Sequence, residues 1–106
     1  IRPDQILLDP GLGFGKTAEQ NFELLARLEE IGPDGAPIVL GASRKAFLGS
    51  VSGRPAAERL PESLAACAVA IERLRDRNPV LLRVHDVDET LRFVHVLGAA
   101  TAAGRR

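Results

Sequence analysis

Three short apolar runs, at 5–8, 37–40 and 80–84, each close on a glycine or polar loop, and each is followed by apolar residues at helical spacing. No other feature narrows the fold as much. Strands that are apolar at nearly every position want cover on both faces, and strands separated by a helix pair in parallel. The first run is expected to end at Asp9, before the breaker group Pro10-Gly11. Beyond the glycine loop, Thr17 can cap a helix that places Phe22, Leu25, Leu28 and Ile31 on one face and stops at Gly32-Pro33. The second run ends at Gly41 and leads to a brief helical turn at 43–48, a polar stretch at 53–59 and a long helix at 61–77, with Leu64, Cys67 or Ala68, Ile71 and Leu74 inward. The third ends in Arg83–Asp86 and leads to a helix from Asp88 to about Ala102, with Leu91, Val94 and Leu97 as its buried stripe and a tail expected to fray from Ala99. The fold class is therefore α/β. In such folds ligands sit at the carboxyl ends of the strands, which gathers Asp9, Ser43 and the 83–86 loop on one edge.

Composition removes other classes. The chain has 106 residues, 14 basic and 14 acidic, and its only aromatics are Phe14, Phe22, Phe47 and Phe93. That balance offers neither the cationic surface nor the stacking groups that nucleic acid needs. No apolar run approaches the roughly 18 to 20 residues of a membrane span, and the opening residues lack a cationic, apolar signal segment. The one cysteine, Cys67, has no partner for an internal disulfide and joins no metal-ligand cluster. The expected location is the cytoplasm, with no membrane or nucleic-acid partner. The chain starts at Ile1 and enters a strand almost at once, which reads as a piece of a longer protein.

Arg83 interrupts an apolar strand, where a guanidinium is costly unless an anion faces it. Residues two apart share a strand face, so Arg83 and His85 form a donor pair suited to phosphate or diphosphate. The same residues also read as an ion pair with Asp9, Asp86 or Asp88 beside a satisfied histidine. Asp9 can accept two hydrogen bonds from an amino-amidine edge such as a pterin or guanine ring, or it can cap its own glycine turn. Ser43, Arg44 and Lys45 open the short helical turn and offer donors to an anion, although a solvated helix start would look alike. The loop Gly11–Thr17 ends in Gly-Lys-Thr, yet the nucleotide-binding P-loop needs a glycine where Pro10 stands. Cys67 reads as a small core residue, and His95 as facing solvent or a neighbouring helix.

Taken together and in order, Asp9-Pro10-Gly11-Leu12-Gly13-Phe14-Gly15-Lys16, Gly41-Ala42-Ser43-Arg44-Lys45 with Phe47-Leu48-Gly49, and Arg83-Val84-His85-Asp86-Val87 resemble the dihydropteroate synthase family. The resemblance covers nearly the whole chain. It implies a (β/α)8 barrel, which takes about 250 residues, so that residues 1–106 are the last three βα units of a single pterin-binding domain. It implies an enzyme that joins 6-hydroxymethyl-7,8-dihydropterin diphosphate to p-aminobenzoate and releases diphosphate. By resemblance Asp9 holds the pterin, and Lys45 donates to it beside the bound p-aminobenzoate. Arg83 and His85 hold the diphosphate, Phe14 lines the p-aminobenzoate pocket with Gly13 allowing close approach, and Ser43 and Arg44 complete the substrate-binding set. Lys45, Arg83 and His85 are thereby the catalytic candidates.

Ala46 stands where some members have serine, which leaves backbone N–H groups as donors to the p-aminobenzoate carboxylate. The resemblance further implies Mg2+ held through the diphosphate and a residue outside this chain, no metal ligand within it, a homodimer when complete, and sulfonamide competition near Phe14 and Lys45. The family's metal-binding asparagine, second pterin-binding aspartate and closing loops belong to earlier strands, so this segment alone is expected to be inactive. Two other readings remain: a pterin-binding methyl-transfer domain, which leaves Arg83 and His85 without a role, and a non-catalytic barrel homologue.

Overall fold

A computed structural model describes residue 2 and residues 5–105. Its centre is strand β1 (Ile38–Leu40), paired in parallel with β2 (Val80–Leu82) in the register Ile38↔Val80, Val39↔Leu81, Leu40↔Leu82. On the other side of β1 the first apolar run makes a single parallel bridge, Leu8↔Ile38. The spatial order of the three runs thus follows their order in the chain, as successive units of a (β/α)8 barrel do. The first run is shorter than the expected strand because Gln5 turns back to Arg2 and only Leu8 exchanges bonds with β1, its N–H going to Pro37 O and its C=O accepting from Val39.

Helix α1 (Ala18–Ala26) starts where Thr17 predicts: the Thr17 hydroxyl accepts the Gln20 N–H and the Gln20 side chain accepts the Thr17 N–H. It ends sooner than the spacing predicts. Arg27 leaves helical geometry at φ −124°, ψ 31°, and Leu28–Glu30 form a tighter 3-10 turn that still buries Leu28. Helix α2 (Ala46–Ser52) closes on Gly53 in the left-handed conformation, φ 73°. Helix α3 (Leu60–Leu74) stops three residues before the expected Arg77, because Arg75 is extended and Asp76 is left-handed at φ 63°. Its buried face is Ser63, Ala66, Cys67, Ala70 and Leu74. Leu64 and Ile71, expected inward, are half-buried on the flanks.

These helices cover one face of the sheet. Ile38 and Leu40 point into that core with Leu12, Leu25, Leu28, Phe47, Leu48, Ala70 and Leu74, and Phe22 meets Phe47 edge to face at 5.1 Å. The opposite face is open, with Leu7 55% and Leu81 45% exposed. Helix α4 (Val87–Gly104) runs through the tail that composition suggested would fray, and Arg105 Nη2 ties its end to both Asp76 carboxylate oxygens at 3.0 and 3.3 Å. Its expected stripe is half realised: Val94 and Leu97 are half-buried, Leu91 is exposed, and Thr90 is the buried residue. A groove of about 470 Å³ remains open between Leu82, Val84, Val87, Leu91 and Val94. Among the described residues no helix is long and apolar enough to cross a membrane.

Candidate functional site

Odd-numbered residues of the three runs share the sheet face turned away from the helices. Extending the register of β1 and β2 by one and by three residues beyond Leu40↔Leu82 sets Gly41 beside Arg83 and Ser43 beside His85. The hydrogen bonds follow that extension: Arg83 N–H donates to Leu40 O at 2.9 Å, and the Ser43 hydroxyl takes the His85 N–H at 3.2 Å and meets His85 Nδ1 at 2.9 Å.

Arg83 lies past the end of β2 with its side chain 62% exposed, so the desolvation expected of an arginine within an apolar strand does not arise. Its Nη2 reaches Asp9 Oδ2 at 3.6 Å, while Asp9 Oδ1 accepts the Gly11 N–H at 2.8 Å. Both alternatives read from the sequence for Asp9 and Arg83, the capped turn and the ion pair, are therefore present. At this exposure the pair is worth no more than about 1 kcal/mol, so an incoming anion can draw Arg83 away at little cost.

Lys45 comes from the other direction. Its stem lies against Gly13, its Nζ donates to Leu12 O, and the ammonium sits 4.4 Å from the centre of the exposed Phe14 ring. Gly13 has φ 88°, and a Cβ there would stand 2.7 Å from Lys45 Cδ, so glycine is required for both conformation and contact. Burial pushes the Lys45 ammonium below the ordinary lysine range, Arg83 pushes it further, and Asp9 opposes both. A cleft of about 280 Å³ opens between Gly13, Ala18, Asn21, Lys45, Ala46 and Phe47.

Arg44 differs from its neighbours. It is left-handed at φ 59°, and its guanidinium is bound to Asp86 by two hydrogen bonds, Nη2 to Oδ1 at 2.9 Å and Nε to Oδ2 at 3.4 Å. Its N–H goes to the Ser63 hydroxyl and its C=O accepts from Arg59 Nη1, both at 2.9 Å. The residue clamps the loop after β1 to the loop after β2, between Ser43 and Lys45. Three side chains that hold this site escaped the sequence reading. Ser63 and Arg59 are two of them, and the third is Asn21, 2% exposed, which accepts the Gly13 N–H at 2.7 Å and donates to Thr17 O at 3.0 Å. Asn21 and Ser63 each occupy the apolar spacing of a helix, where a buried polar group needs partners, and that was the available signal. Among the described residues no three His, Cys, Asp or Glu side chains gather to hold a metal ion. Cys67 is buried and its thiol is pushed up to about 11 by that burial, which leaves it unreactive.

A barrel-type α/β segment whose polar end sets one carboxylate among lysine, arginine and histidine is the class that fold and site define together. A family model described as pterin binding enzyme matches residues 1–85, and the chain belongs to that family. It is 42% identical to the dihydropteroate synthase of Synechocystis sp. over 93% of its own length and 33% of that protein, and 39% identical to the Escherichia coli enzyme over 97% and 35%. Solved structures agree. Dihydropteroate synthase from Stenotrophomonas maltophilia matches with a TM-score of 0.84 at 38% identity, over 96% of this chain and 37% of that one. The Xanthomonas albilineans enzyme in complex with 7,8-dihydropteroate matches at 0.78 and 39%, over 91% and 36%. The chain spans about a third of the length of the relatives it matches.

Proposed function

We propose that this segment is the C-terminal part of a dihydropteroate synthase, which condenses 6-hydroxymethyl-7,8-dihydropterin diphosphate with p-aminobenzoate to give 7,8-dihydropteroate and diphosphate. The observation that carries the reading is the register that brings Asp9, Lys45, Arg83 and His85 to one edge of three parallel strands. Asp9, a carboxylate backed by the Gly11 N–H, is suited to the amino and ring N–H groups of a pterin. Arg83 and His85 lie on the same face and take the growing negative charge as the carbon–oxygen bond to diphosphate breaks. The arylamine then captures the methylene carbon and loses a proton.

Stabilising the leaving charge is the main demand of such a reaction, and donors gathered on one face, with Arg83 only loosely held by Asp9, are suited to meet it. Phe14 and Lys45, beside the cleft at Gly13 and Ala46, are the groups suited to hold p-aminobenzoate, and a sulfonamide would compete there. Support comes from the X. albilineans relative, solved with 7,8-dihydropteroate and with 4-aminobenzoic acid, and from the Yersinia pestis one, solved with a sulfonamide. By the resemblance, Mg2+ would be held through the diphosphate and a residue outside this chain, while Arg83 and His85 would face the same diphosphate from within it. A homodimer acting in the cytoplasm completes the reading.

The test is isothermal titration of pterin diphosphate with Mg2+ against the full-length protein and its Arg83→Ala variant. Weakening by more than about 1.5 kcal/mol, the lower end for a charged hydrogen bond, is expected. Pterin binding indifferent to Arg83 would point to methyl transfer or a non-catalytic module, and no binding at all would end the pterin assignment.

A further inference from the structure

Arg83 and Asp9 belong to the two outer runs of the three, and the tip of β1 stands between them. The residue at that tip is Gly41, buried, and the Arg83 guanidinium packs against it, Nη2 nearest. A Cβ at Gly41 would collide with Nη2 and stand 3.1 and 3.2 Å from Cζ and Nε. Gly41 does not have the positive φ that demands glycine at Gly11, Gly13 and Gly15, so its backbone gives no reason for a glycine there. What it supplies is room. We propose that Gly41 is a positioning residue: its missing side chain forms a saddle across the middle strand that sets the Arg83 guanidinium between the Asp9 end and the His85 end of the site. Any side chain at 41 displaces the planar group and leaves its charge out of line with the leaving diphosphate. Because the colliding atoms are the far end of a flexible side chain, the displacement costs folding little and costs placement much.

This rests on the synthase reading, and a double-mutant cycle in the full-length protein separates the two. Inorganic diphosphate binding, and KM and kcat with both substrates, are measured for wild type, Gly41→Ala, Arg83→Ala and the double variant. Gly41→Ala is expected to weaken diphosphate by about tenfold, to raise KM for the pterin diphosphate, and to leave KM for p-aminobenzoate unchanged. In the Arg83→Ala background the same substitution should do nothing further, since the group it displaces is gone. An equal penalty in both backgrounds, or none in the wild type, overturns the proposal and leaves the synthase reading standing. Indifference of diphosphate to Arg83→Ala overturns both. Should Gly41→Ala not fold, the double variant must recover folding, and its failure to do so also counts against the saddle.

Discussion

Lys45 reports on its surroundings through its proton. Burial first, then Arg83, hold its ammonium below the ordinary lysine value of 10.5, and Asp9 pulls the other way. Arg83→Ala is therefore expected to raise the Lys45 titration midpoint and Asp9→Asn to lower it, as followed by side-chain NMR of the lysine. Opposite signs from two neighbours test the geometry better than either alone. The same depression makes a stability statement: between the folded and unfolded values the unfolded chain binds more protons, so stability from this group rises with pH across that window and its cost is fully present below it. The glycines beside it offer a second contrast. Gly13 and Gly15 are both left-handed, at φ 88° and 63°, but a Cβ at Gly15 meets nothing within 4 Å whereas one at Gly13 meets Lys45. Denaturant unfolding should show about 1–2 kcal/mol lost for Gly15→Ala from backbone conformation alone, more for Gly13→Ala, and only the latter should move the Lys45 resonance.

At the scale of elements, α1 carries two polar anchors of different depth. Thr17→Ala removes an exposed capping box and is expected to cost about 1 kcal/mol. Asn21→Ala strips a buried carboxamide from Gly13 N–H and Thr17 O, and calorimetry should register a loss of about 1–3 kcal/mol together with a loosened glycine loop. The first of these residues announced itself in the sequence and the second did not, and the difference is general across the fold. Strand cores, the Thr17 cap and the common side of Arg83 and His85 were legible because apolar runs, capping residues and period-two spacing are local properties; the Ser43–His85 contact, 42 residues apart in the chain, was not. Helix ends at Arg27 and Leu74 were not: Asp76 is left-handed with no glycine to mark it, held by Arg105 from another element. On α3, Cys67 and Leu74 are buried as their spacing implied, but Ser63, Ala66 and Ala70 take the inward places expected of Leu64 and Ile71, small residues that let the helix pack closely on α1. Arg44 looked like an anion donor by composition, and only tertiary contact with Asp86 showed a loop clamp.

Across the whole molecule, the apolar faces are unequally satisfied. One side of the sheet is sealed by α1, α2 and α3, while Leu7 and Leu81 on the other side and Val87 and Leu91 on α4 stand about half exposed. A closed barrel turns the first set inward and lays a neighbouring unit over the second. Each such side chain returns up to about 1.5–3 kcal/mol on full burial, a large share of the marginal stability of a domain this small. Residues 1–106 expressed alone are therefore expected to self-associate and to bind a dye for exposed apolar surface, and to lose both properties when co-expressed with the preceding barrel units from a relative. Sedimentation velocity with and without that complement decides the matter. A monomeric segment with a cooperative thermal transition would mean that the open face is stable as it stands, and the barrel would then be an assembly of two folding units, with the whole anion-binding edge carried by one of them.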